Sequence, residues 1–169
     1  DRRQRQMCIR DRVEGGAIVE SSKHTEITDL GEGVDTTGRF CKAAVERVLA
    51  ACHMFVDEAR AFGAVCVCTT CTSAARDASN AALLLDGLRE LGLKPQVIPG
   101  EVEARLTFFG VAHDFAGERI IVADSGGGST ELTRIEDGRD FDNVSLGQGS
   151  LSSYATFCLL YTSPSPRDS

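Results

Sequence analysis

The sequence predicts an α/β protein whose sheet is mainly parallel. Two continuous apolar runs, 64–70 and 119–125, have the length and composition of strands that are covered on both faces. A segment of helical periodicity, 42–62, precedes the first run, and shorter helical segments separate it from the second. Alternation of strands and helices is typical of a parallel sheet, and 169 residues suffice for one domain or parts of two.

The first half of the chain opens with a predicted strand, 17–22, which follows a pair of glycines. A glycine-rich loop, 29–39, then leads to the predicted helix 42–62, and Gly63 stands where a C-terminal cap belongs. Seven side chains of this helix follow the i, i+3, i+4, i+7 spacing of one buried face: Val45, Val48, Leu49, Cys52, Phe55, Val56 and Ala59.

The second half continues the alternation. Turn residues at 73–80 precede a helix that is predicted to end at Leu91. A short strand near Val97 leads to a helix whose first turn contains two glutamates, and acidic residues there complement the helix dipole. After the strand 119–125, two further strands are joined by a turn at 137–138.

The two ends of the chain, 1–12 and 158–169, do not follow this pattern. The first is rich in arginine and the second in serine and proline, which is typical of disordered tails, and a basic tail could bind nucleic acid. However, Met7–Asp11 can be encoded by DNA whose reverse complement, in a shifted frame, encodes Cys158–Thr162. We therefore interpret both ends as translated transposon-end adapters of a sequencing library and exclude them from the fold prediction.

The residues between these ends, 13–157, are predicted to form parts of two lobes. The periodicity lapses at 113–118, so we place a boundary there. Residues 13–117 are assigned to an N-terminal lobe I, and residues 118–157 to the start of lobe II.

The net charge and the hydropathy of the chain limit which partners it can bind. The formal net charge is −7, and it is more negative without the arginine-rich start, so the domain repels polyanions at long range. No apolar run approaches the roughly 20 residues of a membrane span. We expect a cytoplasmic protein that binds neither nucleic acid nor membrane. In that compartment we expect buried, reduced thiols at Cys41, Cys52, Cys66, Cys68 and Cys71.

The loop that follows the strand 119–125 predicts a phosphate site. Ligands of α/β sheets bind beyond the carboxyl ends of strands. Glycines let a polyanion approach backbone N–H groups, and hydroxyls add further donors. The residues concerned are Gly126, Gly127, Gly128, Ser129 and Thr130.

Asp124, which ends this strand, predicts a metal. Its carboxylate would repel a phosphate, so a divalent cation is expected between them, and Mg²⁺ is the usual choice for oxygen ligands. Glu131 could be a second ligand, directly or through water. The structural alternative is a tight glycine turn in which Asp124 is a turn acid.

Four stretches, in this order and spacing, resemble the exopolyphosphatase/guanosine pentaphosphate phosphohydrolase family: LGEGVD (30–35), TSAARDASN (72–80), VIPGEVEARLTFFGV (97–111) and VADSGGGSTEL (122–132). The resemblance implies a ribonuclease H-like fold of the actin-like ATPase superfamily, here truncated to most of lobe I and the first strands of lobe II. It also implies that the parent protein removes terminal phosphate from polyphosphate or pppGpp with Mg²⁺ and water, and that it forms a homodimer.

The resemblance also assigns roles to individual residues. The second phosphate loop of the family corresponds to 124–130, with Ser125 in place of an isoleucine, which makes Asp124 the magnesium-side carboxylate and Glu131 its assistant. Glu103 matches the glutamate that activates water, and Val102 replaces the acid beside it.

Arg76 matches an arginine near the substrate phosphates, where its guanidinium could clamp two oxygens. For both of the matched side chains a structural role is the alternative. Glu103 could simply stabilise a helix start, and Arg76 could form a surface salt bridge with Asp77.

One family feature has no counterpart here. The first phosphate loop, Asp-x-Gly-Ser-Asn-Ser, matches nothing in residues 1–30, so we expect a fragment that lacks the first strand and half of the phosphate cradle and is inactive alone. Two other functions remain open. One is an ATP-dependent kinase of the same superfamily, and the other is a non-catalytic sensor that binds polyphosphate or a nucleotide.

Overall fold

The computed structural model describes residues 4–112, 115, 118–126, 128–136 and 139–146. The elements within these residues are β1 (Arg5–Glu14), β2 (Ala17–Ile27), α1 (Val34–Thr37), α2 (Lys42–Phe62), β3 (Thr69–Cys71), α3 (Ser73–Asp77), α4 (Ala82–Glu90), β4 (Pro95–Val97), α5 (Gly100–Ala112), β5 (Ile120–Ser125), β6 (Thr130–Glu136) and β7 (Arg139–Leu146). None of the described helices combines the length and the apolar character that crossing a bilayer requires.

The described strands form three small sheets, and the prediction of a mainly parallel sheet is wrong for them. β1 pairs with β2 and β5–β6–β7 form a meander, all antiparallel, whereas only β3 and β4 are parallel. The physical reason is the length of the connections. Short turns can join only antiparallel neighbours, and among these pairs only β3 and β4 are separated by a helical crossover.

The predicted helix 42–62 is confirmed with the same bounds as α2. The Cys41 side chain accepts a hydrogen bond from the Ala44 backbone N–H, and Gly63 closes the helix with φ 78°, a conformation that favours glycine. The buried face packs against α4 and against residues 30–40, which include α1. The core includes Leu30, Val34, Phe40, Val45, Val48, Leu84 and Leu88.

The predicted strand 64–70 is largely wrong. Only Thr69–Cys71 pairs with a neighbouring strand, and Val65 is fully exposed. The thiols of Cys66 and Cys68 in this segment are therefore exposed rather than buried, and Cys41, at the N-cap of α2, is exposed as well. Cys52 and Cys71 are half-buried, and burial raises the pKa of the Cys52 thiol to about 11.

α3 and α4 replace the single helix predicted after the turn residues. Asn80, between them, joins this region to the loop before α2, because its amide accepts from Phe40 N at 2.7 Å and donates to Phe40 O at 3.0 Å. α4 ends at Glu90, and the nearby Gly92 has a positive φ of 82°.

α5 packs on the antiparallel sheet of β5, β6 and β7. Ala104, fully buried, and Phe108 lie on its inner face, and Thr133 of β6 contacts Ala104 O at 3.5 Å. The predicted lobe boundary falls between α5 and β5, and it stays a prediction, as does the adapter origin of the ends. In the structure, residues 5–12 of the first end belong to β1.

Several predicted features lie outside the described residues. They are the turn at 137–138, most of the stretch 113–118, Gly127 and the end 158–169.

Candidate active site

The β5–β6 hairpin places two predicted metal ligands side by side. Asp124 is directly opposite Glu131 in the antiparallel register, so both side chains lie on the same face of the sheet. Glu131 is almost fully buried, at 2% exposure, and Asp124 lies at the edge of a cavity. Ionised carboxylates in such surroundings need a compensating partner, because burial of charge costs free energy.

Arg76 and Glu103, which come from separate motifs, form an ion pair. Nη1 of Arg76 donates to Oε2 of Glu103 at 3.0 Å and to the Ile98 carbonyl oxygen at 2.7 Å. α3 and α5 supply the two side chains, and Ile98, the residue after β4, supplies the carbonyl. The alternative partner considered for Arg76, Asp77, is not the one that it contacts in the described structure.

Burial is the main cause that raises the pKa of Glu103 above the ordinary value for glutamate. The hydrogen bond and the charge of Arg76 lower the pKa, whereas the nearby carboxylates of Glu131 and Asp124 raise it. The net direction is upward. The three carboxylates therefore lie close enough to influence each other, although they come from different elements.

The glycine loop is compact around Ser129. The Gly126 N–H donates to the Ser129 carbonyl oxygen at 2.9 Å, which closes a tight turn between β5 and β6. Ser129 and Thr130 are both buried, and the Thr130 hydroxyl lies 3.3 Å from that of Ser125. Ser129 lines the cavity, whereas Thr130 does not.

Gly128 lies against a residue that the sequence did not single out. A Cβ atom at this position would lie only 2.7 Å from Oγ of Ser73, which is itself buried at the start of α3. Such a distance is too short for an ordinary contact, so an unchanged neighbour leaves no room for a side chain here. The packing of Ser73 thus favours glycine at position 128, in addition to any requirement of a ligand.

A cavity of about 490 Å³ is lined by residues of α3, α5, β5 and the glycine loop, among others. Its polar lining includes Glu103, Asp124, Gly126 and Ser129, and residues 4–7 and 69–75 also line it. Its apolar lining includes Leu30, Val48, Leu84 and Leu88. Arg76 does not line the cavity, but its side chain contacts Glu103, which does.

The donors fit a cation that is shared with a ligand rather than one enclosed by protein. Among the described residues, no group of three or more His, Cys, Asp and Glu side chains converges as a metal cage. Mg²⁺, however, usually takes one or two carboxylates and completes its shell with water and substrate phosphate. Asp124, which lines the cavity, supplies an oxygen ligand of the right kind for that arrangement, and the buried Glu131, which does not line the cavity, lies directly opposite on the same face of the sheet.

Comparison with known proteins shows the family of this chain. A profile of the Ppx/GppA phosphatase family matches residues 9–158. The chain belongs to the Ppx/GppA phosphatase family. Exopolyphosphatase 2 of Mycobacterium tuberculosis is 37% identical over 125 residues, which are 69% of this chain and 39% of that protein.

Two solved structures of Ppx/GppA type are similar in fold. The Aquifex aeolicus family member has a TM-score of 0.70 and 27% identity, and the match covers 86% of this chain and 52% of that one. An exopolyphosphatase from Cytophaga hutchinsonii has a TM-score of 0.74 and 28% identity over 82% of this chain and 46% of that one. The ribonuclease H-like fold class of the actin-like ATPase superfamily is thereby confirmed.

The chain spans about two fifths of the Mycobacterium tuberculosis protein and about half of the two solved structures. The structure brings together Arg76, Glu103, Asp124 and Glu131 from three Ppx/GppA motifs, and their roles stay predictions. Sequence reasoning missed Ser73 and Thr107. A polar residue at the buried-face spacing of a helix could have drawn attention to Thr107, which donates to Asp124.

Proposed function

We propose that the protein to which this chain belongs hydrolyses terminal phosphoanhydride bonds of inorganic polyphosphate, of pppGpp, or of both, with Mg²⁺ as cofactor. The observation that carries the proposal is that Glu103 and Asp124 line the same cavity together with Gly126 and Ser129 of the glycine loop. The name of the Mycobacterium tuberculosis relative supports polyphosphate as the substrate class. The substrate would thus be a compound with a terminal phosphoanhydride bond and not a nucleic acid.

Different residues of the chain would bind the phosphate, hold the metal and activate the water. Gly126 and Ser129, at the cavity wall, would contact the terminal phosphate, with the rest of the glycine loop alongside them. Asp124 and Glu131 would hold Mg²⁺, which neutralises charge on the phosphate oxygens when it is bound. Glu103 would orient a water molecule and accept its proton as that water attacks phosphorus in line with the leaving phosphate.

Arg76 would hold Glu103 in place through its Nη1 contact. Pairing with Arg76 reduces the number of conformations of the Glu103 side chain, which lowers the entropic cost of reaching the reactive geometry. Arg76 was predicted to clamp phosphate oxygens, and this role requires that the guanidinium turn toward the cavity when substrate binds. Both roles use the same guanidinium: Nη1 contacts Glu103 and Ile98 in the structure, and a turn toward the cavity would exchange these contacts for phosphate oxygens.

The decisive test is Glu103→Gln in the full-length protein that carries these residues. Glutamine can still accept a hydrogen bond from Arg76 but cannot take a proton from water. Phosphate release from a short polyphosphate should fall by about 10²- to 10⁴-fold, which is the usual contribution of a general base, while substrate affinity is retained.

Glu101→Gln is the matched control, because Glu101 lies in the same helical turn, is exposed and does not line the cavity. It should release phosphate at the wild-type rate. Undiminished release by Glu103→Gln with intact binding would remove the proposed base. Phosphorylation of a sugar from ATP would instead favour the kinase alternative, and binding without any turnover by wild type would favour the sensor.

A further inference from the structure

The inner face of α5 carries two polar residues, Glu103 and Thr107, one helical turn apart. Side chains at i and i+4 lie on the same face of a helix. Their neighbours on this face, Ala104 and Phe108, are buried and apolar. Glu103 lines the cavity, whereas Thr107 does not, so any effect of Thr107 on a ligand must pass through another residue.

That residue is Asp124. The Thr107 hydroxyl donates a hydrogen bond to Oδ2 of Asp124, with an oxygen–oxygen distance of 2.8 Å. Asp124 in turn lines the cavity at the end of β5. A hydrogen bond to an ionised carboxylate is stronger than one between neutral groups. The hydrogen bond also restricts rotation of the Asp124 carboxyl group, so Thr107 helps to set the direction of both carboxyl oxygens.

We propose that Thr107 is a positioning residue for the metal-binding carboxylate of Asp124. The inference rests on the proposed function, in which Asp124 holds the cation. Partners that orient a metal ligand commonly contribute 10- to 100-fold to metal affinity. Thr107 thus contributes to cation binding without touching either the cation or the substrate.

The competing explanation is structural, because the same hydrogen bond also ties α5 to β5. Thr133 allows the two explanations to be separated. Its hydroxyl contacts the Ala104 carbonyl oxygen at 3.5 Å in the same interface between helix and sheet. Loss of this hydroxyl therefore perturbs the packing of α5 without removing the donor to Asp124.

The experiment is a titration of the chain with MnCl₂ alone, in which free Mn²⁺ is measured by electron paramagnetic resonance. The variants are Thr107→Val, which keeps the shape and removes the hydroxyl, Thr133→Val as the matched control, and Asp124→Asn as the reference for a lost ligand. Thermal unfolding of each variant is recorded in parallel. We expect Thr107→Val to raise the dissociation constant of Mn²⁺ by about 10- to 100-fold and Thr133→Val to leave it unchanged.

A second pair covers the case in which Thr107→Val does not fold. Thr107→Ser and Thr107→Ala both lack the γ-methyl group and differ only in the hydroxyl, so the serine variant should bind Mn²⁺ the more tightly. Equal affinities within this pair, or wild-type affinity in a folded Thr107→Val, would overturn the positioning role alone, provided that Asp124→Asn weakens binding. If Asp124→Asn binds as wild type does, the metal role of Asp124 fails, and this inference fails with it.

Discussion

At the residue scale, the environment of Glu103 disfavours the charge that its proposed role requires. Burial is the main cause that raises its pKa, and the carboxylates of Glu131 and Asp124 act in the same direction. Arg76 only partly offsets these effects. A glutamate that holds its proton up to a higher pH is a better acceptor once it is ionised, since proton affinity and basicity rise together.

This environment predicts a specific dependence of stability on pH. A raised pKa in the folded state means that the folded protein binds the proton more tightly than the unfolded chain does. The resulting stabilisation is complete below the ordinary value of 4.5 and is lost as the pH rises through the higher pKa of folded Glu103. Glu103→Gln removes this loss, because glutamine is neutral throughout.

The free energy of unfolding of Glu103→Gln, relative to wild type, should therefore increase from about pH 4 toward neutral pH, in line with proton linkage. Urea unfolding of both proteins across this range measures the difference. A difference that stays constant, or that falls toward neutral pH, would show that the pKa of Glu103 is not raised in the folded protein.

At the scale of elements, the start of α3 and the glycine loop are fitted to each other. Gly128, in the β5–β6 connection, lies close to Ser73 at the start of α3, so a side chain at position 128 would meet the Ser73 hydroxyl. The loop also closes through the Gly126 N–H and the Ser129 carbonyl oxygen. Both contacts are present without a ligand, and such preformed contacts reduce the ordering that binding must accomplish.

Gly128→Ala should destabilise the protein by about 1–3 kcal/mol, as expected for an overpacked contact. Ser73→Ala removes the Oγ atom that the new methyl group would meet, so the double variant should regain most of that loss. Thermal unfolding of the two single variants and the double variant measures the coupling. Equal stability of Gly128→Ala and the double variant would show that Ser73 is not the obstacle.

At the scale of the whole molecule, apolar burial is unevenly distributed. α2 and α4 enclose the core between them, whereas the β1–β2 hairpin exposes large apolar side chains. These are Met7, Ile9, Val13, Ile18 and Val19. Two-stranded hairpins are marginally stable without a covering layer, so this part of the molecule depends on α2, which it contacts.

The amides of β1 and β2 should therefore exchange hydrogen faster than those of α2. Local opening costs least where few apolar contacts are broken. Mass spectrometry of peptides from 5–27 and from 42–62, after a common exchange time, measures this difference. Equal protection in the two regions would mean that the hairpin and the helix open only together.

The sequence by itself determined the features that depend on local order. The periodicity of 42–62 gave α2 its bounds, because an amphipathic helix is encoded by spacing along the chain. The glycines and Asp124 at the end of β5 indicated the candidate site, and four motifs together indicated the family. In each case the signal lies within a short segment.

Only the tertiary structure decided what depends on contacts between segments. An apolar run at 64–70 does not reveal whether another layer covers it, and here most of it is exposed. Strand direction likewise depends on which strands pair, so the antiparallel sheets were mispredicted. The Arg76–Glu103 ion pair, the Ser73–Gly128 contact and the hydrogen bond of Thr107 to Asp124 join residues that are distant in sequence. Spacing along the chain cannot encode such pairs, because they form only when separate elements pack together.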